Sequence, residues 1–329
     1  MNNKLLSICI PIYNMGRYLD INLQEIIKVI EKYSLTKEIE ICISDNASID
    51  DTEEIAKKYQ EKNICNIIYH KNKENIGADR NFLKVIEIAN GKYCWFMGAD
   101  DIILEKALLN VLELIKENKY DIILGDRINI DLEGKIKNIQ YWSKEKMIVN
   151  NLNFYNFIEK SYRIGAVFSY ISSIVFKKDI WNKNLKKLDI DKFIGSAYIH
   201  SLVLISMIKN GSSMLYLHQP VVKNRVGNDS FLDKGYFNRV KIDFNYLDIF
   251  EYLFSINSKE YQQIQKLLNK ERIFLHFLKA KYMIGYDKKQ MEEFYLFLNK
   301  HNIKNKYIIK YTPNIVIWLL LKIYQKLKR

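Results

Sequence analysis

At 329 residues, with 48% hydrophobic and 27% charged side chains but only 3 Pro and 12 Gly, the chain has material for a large core and is neither disordered nor linker-like. Its four cysteines (Cys9, Cys42, Cys65, Cys94) form no Cys-x-x-Cys pair and lie in or beside apolar runs, so they read as small core residues of a reduced protein and not as a zinc or disulfide framework. Of the net charge of +13, residues 1–200 carry an excess of one and residues 201–329 an excess of twelve, with seven Lys or Arg and no acid beyond residue 300; such a concentration suits an anionic surface, membrane or nucleic acid.

In chain order, residues 1–4 precede an apolar run that Pro11 breaks, too short for a secretory signal. Residues 5–12 predict a strand, followed by Tyr13-Asn14 and a helix to about Tyr33. A second strand over 38–44 ends in Asp45-Asn46-Ala47-Ser48, and Asp50-Asp51-Thr52 open a helix to about Glu61. A third strand over 65–70 leads through Asn75-Ile76-Gly77 to a helix ending at Asn90, with Gly91 expected as its C-cap. Residues 93–97 predict the fourth strand and 120–124 the fifth, with a helix from Leu104 between them. Regular alternation of strand and helix marks an α/β fold with a doubly wound sheet. The alternation then breaks into an edge hairpin over 128–140 around Glu133-Gly134, a helix over 153–162, a strand over 167–176, a helix over 198–209 and a strand over 214–222. From about Gly235 the pattern is helical and aromatic-rich, which divides the chain into a sheet domain, 1–230, and a helical C-terminal extension, 231–329.

The fourth strand organises the chemistry. Tyr-Cys-Trp-Phe-Met is an unbroken apolar run, as expected of a strand covered on both faces, and Gly98-Ala99 carries it into Asp100 and Asp101. Ligands of such sheets gather beyond the carboxyl ends of the strands. Two acids there can seat a divalent cation, which takes oxygen ligands, or they can cap a helix over 102–117. Only Gly16 follows the first strand, so the dinucleotide fingerprint is missing, and no Gly-Lys-Ser/Thr P-loop occurs. A bound diphosphate would then be neutralised by a carboxylate-held cation.

Several stations follow in one order: Ser7-Ile8-Cys9-Ile10-Pro11-Ile12-Tyr13-Asn14, then Asp45-Asn46-Ala47-Ser48-Ile49-Asp50-Asp51-Thr52, then Asn75-Ile76-Gly77 with Arg80-Asn81, then Ala89-Asn90-Gly91 and Gly98-Ala99-Asp100-Asp101. The ordered set resembles the GT-A fold (nucleotide-diphospho-sugar transferase) glycosyltransferases of family 2, over residues 5–130 and more weakly to about 230. Residues 198–211 and 224–231 look like its abequosyltransferase-like branch, which builds O-antigen and related surface polysaccharides.

The resemblance implies an inverting glycosyltransferase with a mixed sheet, moving a sugar from a nucleotide-diphosphate donor to a polyprenyl-pyrophosphate-linked glycan acceptor. Pro11, Tyr13 and Asn14 would line the nucleotide pocket, and Asp45 would accept a hydrogen bond from the base unless it forms an Asx-turn. Asn75, Gly77 and Arg80 would border the donor diphosphate and sugar, beside Ala99 and Asp100, while Arg225 and Asn228 would close over it unless Gly227-Asn228 is a plain turn. Asp50 and Thr52 read as helix caps. The cation, Mg or Mn, would sit on Asp100 with Asp101 as second carboxylate, although Gly98 stands where the family's Asp-x-Asp motif has its first acid. The general base would be His200, counted back from Gly211, with Asp191 and Asp189 in reserve; the alternative for His200 is a core position beside Leu204 and Met207.

At the far end, Thr312 is expected as N-cap and Pro313 as first helical residue of a terminal helix. Its apolar stretch, 315–321, is shorter than the ~20 residues that span a bilayer. Lys322, Lys326, Lys328 and Arg329 follow, which suggests a helix lying in the membrane interface and a cytoplasmic enzyme peripheral on the inner face of the cell membrane. The alternative is a helix packed on its own domain. Two rivals remain: a nucleotidyltransferase acting on sugar phosphates, for which residues 11–17 lack the glycine-rich basic loop, and a basic nucleic-acid-binding protein, for which no fold signature is present. The expectation is therefore no nucleic acid partner.

Overall fold

The computed structural model describes residues 4–227, 235–272 and 274–327. The chain separates into two compact units, 1–227 and 228–329.

In the first unit the strands are β1 (Leu6–Ile12), β2 (Ile39–Asp45), β3 (Asn66–Lys71), β4 (Tyr93–Phe96), β5 (Ile102–Ile103), β6 (Ile122–Ile130), β7 (Ile136–Gln140), β8 (Met147–Val149), β9 (Ile174–Lys177) and β10 (Met214–Arg225). The helices are α1 (Gly16–Lys32), α2 (Thr52–Glu61), α3 (Ala78–Ile88), α4 (Glu105–Glu117), α5 (Phe154–Lys160), α6 (Lys178–Leu185) and α7 (Ile199–Lys209). They build one mixed sheet in the order β3-β2-β1-β4-β9-β6-β10-β5, with β7 on β6 and β8 on β10. From β1 the chain winds outward to β2 and β3, then returns to lay β4 on the other side of β1, all parallel. The β1/β4 boundary is thus a topological switch point, where a crevice opens beyond the strand ends.

Local chemistry explains the frame. β1, β2 and β4 are buried nearly end to end, as their unbroken apolar runs require, with Trp95 and Tyr93 wholly enclosed; each such side chain contributes about 1.5–3 kcal/mol through removal from water. Cys9, Cys42, Cys65 and Cys94 are free thiols in this core. Gly16 opens α1 because a Cβ there would collide with Asp51, and its N–H donates to Asp50 Oδ2 at 2.9 Å. Asp50 also accepts from Thr52 Oγ1 at 2.5 Å, so it ties the start of α1 to the start of α2.

Three expectations change. Gly91 does not cap α3, which closes at Ala89 with extended backbone; a Cβ on Gly91 would stand 2.5 Å from Ser7 Oγ, so the glycine serves a close approach to β1. Asp100 and Asp101 do not cap a helix, because β5 intervenes and pairs with β10 before α4 begins. Residues 164–167 and 171–173 form 3-10 turns, leaving only β9 as strand. That short strand inserts antiparallel between β4 and β6, making the sheet mixed in its middle.

The second unit is helical: α8 (Tyr236–Phe254), α9 (Lys259–Glu271), α10 (Phe274–Ile284), α11 (Lys288–Lys300), α12 (Lys306–Tyr311) and α13 (Asn314–Leu327). Asp243 is buried between Arg239 and Arg272, a paired charge inside an apolar bundle. Thr312 does not cap α13. Its hydroxyl donates back to Ile308 O at 2.6 Å and closes α12 instead, while Pro313 precedes the first helical residue.

Candidate active site

At the carboxyl end of β4 the chain turns sharply through Gly98 to Asp101. Asn22, buried on α1, fastens this turn by donating from Nδ2 to Gly98 O (3.1 Å) and Asp101 O (2.6 Å). From the other side Ser172 donates its hydroxyl to Asp101 Oδ2 and accepts the Gly98 N–H at 2.8 Å. Trp95 Nε1 in turn holds Ser172 O at 2.9 Å. The two carboxylates converge on the space above Gly98: a Cβ there would lie 2.8 Å from Asp101 Oδ2 and 3.2 Å from Asp100 Oδ1.

Asp100 is half-buried and Asp101 is enclosed, with Oδ1 lacking a hydrogen-bond partner. Burial, aided by the neighbouring Asp100 charge, pushes Asp101 up to about 7; Ser172, Tyr170 and Arg127 pull the other way. The Arg127 guanidinium lies 4.4 Å from the Tyr170 ring centroid and 5.3 Å from that of Trp142. Among the described residues no three His, Cys, Asp or Glu gather into a self-sufficient metal cage. Two converging acids, one with an unmatched buried oxygen, fit a cation that draws its other ligands from phosphate and water.

Across the switch point, Tyr13 and Asn14 are exposed at the end of β1 and Pro11 is half-buried. Asn14 adopts φ +51°, accepts the Ile49 N–H on Oδ1 (2.9 Å) and offers its own N–H to Ser48 Oγ (2.8 Å), joining the β1 and β2 loops. Asp45 is wholly buried: Oδ1 accepts from Ser48 N at 2.8 Å, the Asx-turn alternative, and Oδ2 accepts from Tyr69 OH at 2.6 Å. Asn46 Nδ2 donates to Asn75 Oδ1 (2.8 Å), which also accepts Gly77 N–H (3.0 Å). Behind them Asn81 joins Ser44 and Asn72. This asparagine ladder fixes the loop that presents Gly77 (φ +82°) and the exposed Arg80 at the start of α3. Ala99 is buried in the opposite wall. At the end of β10, Arg225 comes within 5.8 Å of the Tyr18 ring on α1, so its cation also borders the crevice. Asn228 lies outside the described residues.

His200 takes the core alternative on α7. It is 1% exposed, with its ring edge-on to Phe82 (5.1 Å) and Phe96 (6.0 Å). Nε2 meets Phe168 O at 2.9 Å, and since a carbonyl only accepts, the proton is on Nε2. Burial drives its pKa down to about 4. A neutral imidazole sealed in an aromatic core has no opening to an acceptor hydroxyl, so His200 is a core residue and does not stand where a general base would act. Asp189 pairs with Lys192 at 2.8 Å, whereas Asp191 is exposed.

The sequence reading missed the device that positions this segment. Asp79, buried in the first turn of α3, accepts the N–H groups of Gly195 (2.7 Å), Ala197 (3.0 Å) and Ile199 (3.1 Å). Gly195 and Ala197 both take positive φ to aim those groups inward. Burial raises the Asp79 pKa, and the three donors oppose the rise. The loop after Asp191 is thereby pinned next to Arg80. The only signal in the sequence was an acid in a helix first turn, which a capping role explains equally well.

Residues 7–180 match the profile of "Glycosyl transferase family 2". Over 302 residues the chain is 37% identical to the abequosyltransferase RfbV of Salmonella typhimurium, a match covering 88% of each protein. Among solved structures it is similar to S. aureus TarS 1-349 in complex with UDP-GlcNAc, with TM-score 0.59 at 17% identity over 90% of this chain and 80% of that one. It is also similar to the mannosyltransferase PcManGT from Pyrobaculum calidifontis in complex with GDP-Man and Mn2+, with TM-score 0.53 at 12% identity over 98% and 88%. The two structures share its GT-A-like fold. With half the chain inside the family profile and a relative 37% identical over 88% of its length, the protein belongs to glycosyltransferase family 2.

Proposed function

We propose that this glycosyltransferase moves a sugar, with inversion, from a nucleotide-diphosphate donor to a lipid-linked oligosaccharide in bacterial surface-polysaccharide synthesis. The observation that carries the reading is the convergence of Asp100 and Asp101 at the β1/β4 switch point, facing a rigid polar rim from Asn14 to Arg80. The abequosyltransferase relative supports a surface-polysaccharide acceptor, and the UDP-sugar and GDP-sugar complexes of the two neighbours support a nucleotide-sugar donor.

Asp100, with Asp101 beside it, would hold a divalent cation, which when bound offsets negative charge on the departing diphosphate. Arg80 and Arg225 would approach the phosphates, and Tyr13, Asn14 and the Asp45–Tyr69 pair would frame the base. Asp191, exposed just before the pinned segment, would take the proton of the attacking acceptor hydroxyl, so that oxygen becomes nucleophilic as it meets the sugar. The basic C-terminal region would keep the enzyme on the membrane face where such acceptors reside. Among the described residues no helix is long and apolar enough to cross the membrane.

The test is release of nucleoside diphosphate from a panel of nucleotide sugars with Mg or Mn, in wild type, Asp100→Asn and Asp191→Asn. Each variant is expected to lose roughly 10²–10⁴-fold in turnover. Unchanged turnover in both would refute the assignment.

A further inference from the structure

Resting on the peripheral-membrane reading above, we infer that the lipid-facing element is a preformed two-helix elbow, α12 with α13, locked at its bend by Lys281 and seated on anionic phospholipid. α13 packs through a narrow stripe: Ile317 is buried, and Leu321 and Tyr324, on the same side of the helix, are half-buried. Around the rest of its circumference Ile315 (65% exposed), Leu319 (49%) and Ile323 (55%) stand in solvent. A soluble helix normally turns charge outward and buries its apolar arc; this one leaves a wide apolar arc uncovered.

α12 repeats the anomaly. Tyr307 and Tyr311 are 67% and 72% exposed. Lys306 lies 5.7 Å from the Tyr307 ring centroid, Lys310 5.5 Å from that of Tyr311, and Lys322 5.6 Å from that of Trp318. Aromatic rings with ammonium groups beside them suit the headgroup layer, where the ring rests on acyl chain and the cation on phosphate. No acid occurs after Glu293, so the charge complement is an anionic lipid and the surface is ill-suited to a second copy of itself.

The bend is built, not incidental. Lys281 on α10 is 7% exposed, and its Nζ donates to Ile309 O (3.0 Å), Lys310 O (2.7 Å) and Thr312 O (2.7 Å). These are carbonyls that the end of α12 and the Pro313 junction leave without helical donors. One ammonium thus fixes the direction in which α13 leaves α12, so the two apolar arcs are presented together.

The experiment uses the full chain in sedimentation with phosphatidylcholine vesicles and with vesicles containing one-third phosphatidylglycerol. Variants are Tyr307→Ser with Tyr311→Ser, Lys281→Met, and deletion of 312–329, each checked by thermal melting and by donor hydrolysis. The expected result is binding that needs phosphatidylglycerol, weakens with salt, falls about tenfold in the tyrosine pair and about threefold in Lys281→Met, and is lost in the deletion. Donor hydrolysis should stay unchanged throughout, which separates this outcome from failure of the catalytic reading. If wild type ignores both vesicles, or forms concentration-dependent oligomers in their place, membrane seating is wrong. If the deletion abolishes binding while the tyrosine pair, folded as judged by melting, binds like wild type, the elbow is wrong and the terminal helix acts alone.

Discussion

His200 shows how a residue's environment overrules its chemistry. Imidazole titrates near neutrality in water, yet inside the Phe82–Phe96 cluster its charged form is destabilised and its pKa falls to about 4. His200→Phe should therefore keep turnover within about threefold of wild type, since a buried neutral imidazole transfers no proton to the acceptor and an aromatic ring can fill its place. The same burial sets a pH dependence. Between about pH 6.5 and 4 the unfolded chain binds a proton at this site that the folded chain refuses, so stability is lost as pH falls through that window, by roughly 3 kcal/mol in full. Urea unfolding at pH 7 and pH 5 should show a smaller loss in His200→Phe than in wild type; equal losses would mean the imidazole reaches solvent. Asp100 carries the opposite expectation. Because the acids at Gly98 are too few to cage an ion alone, Mn should raise the melting temperature only when a nucleoside diphosphate is present, and Asp100→Asn should abolish the rise. A diphosphate-independent Mn shift would place the ion elsewhere.

Between elements, the decisive contact is Asp79 with the 195–199 backbone. Replacing it by Ala leaves three inward N–H groups without an acceptor, which at about 1–3 kcal/mol each for an unmatched buried donor should destabilise the fold by several kcal/mol unless water enters. Asp79→Asn keeps one oxygen and should lose less. If Asp191, just before this segment, is the base, Asp79→Asn should lower turnover while leaving donor KM near wild type, because the asparagine ladder proposed to border the donor remains intact. A change confined to KM would instead tie Asp79 to donor binding. Gly91 and Gly98 make a parallel point: each omits a side chain where another strand or carboxylate already occupies the space.

For the molecule as a whole, all the described residues proposed for the donor site belong to the unit 1–227, and the excess positive charge belongs mainly to the unit 228–329. Binding of donor and binding of membrane should therefore separate. A chain ending at 227 is expected to hold nucleoside diphosphate with a Kd within about threefold of full length, measured by calorimetry, and to leave anionic vesicles untouched. Loss of nucleotide affinity on truncation would show that the C-terminal unit completes the donor site.

What the sequence determined by itself was local. Unbroken apolar runs specified β1, β2 and β4, and acids after the central run marked the ligand end of the sheet, because strand burial and strand-end chemistry are written in neighbouring residues. The ordered motifs likewise carried the family. Tertiary structure alone decided which polar groups face the crevice. The insertion of β9 between β4 and β6, the sealing of His200 behind Phe82 and Phe96, and the capture of the 195–199 loop by Asp79 all join residues far apart in the chain. Burial and partner choice at such sites depend on packing across those distances, and no local period encodes it.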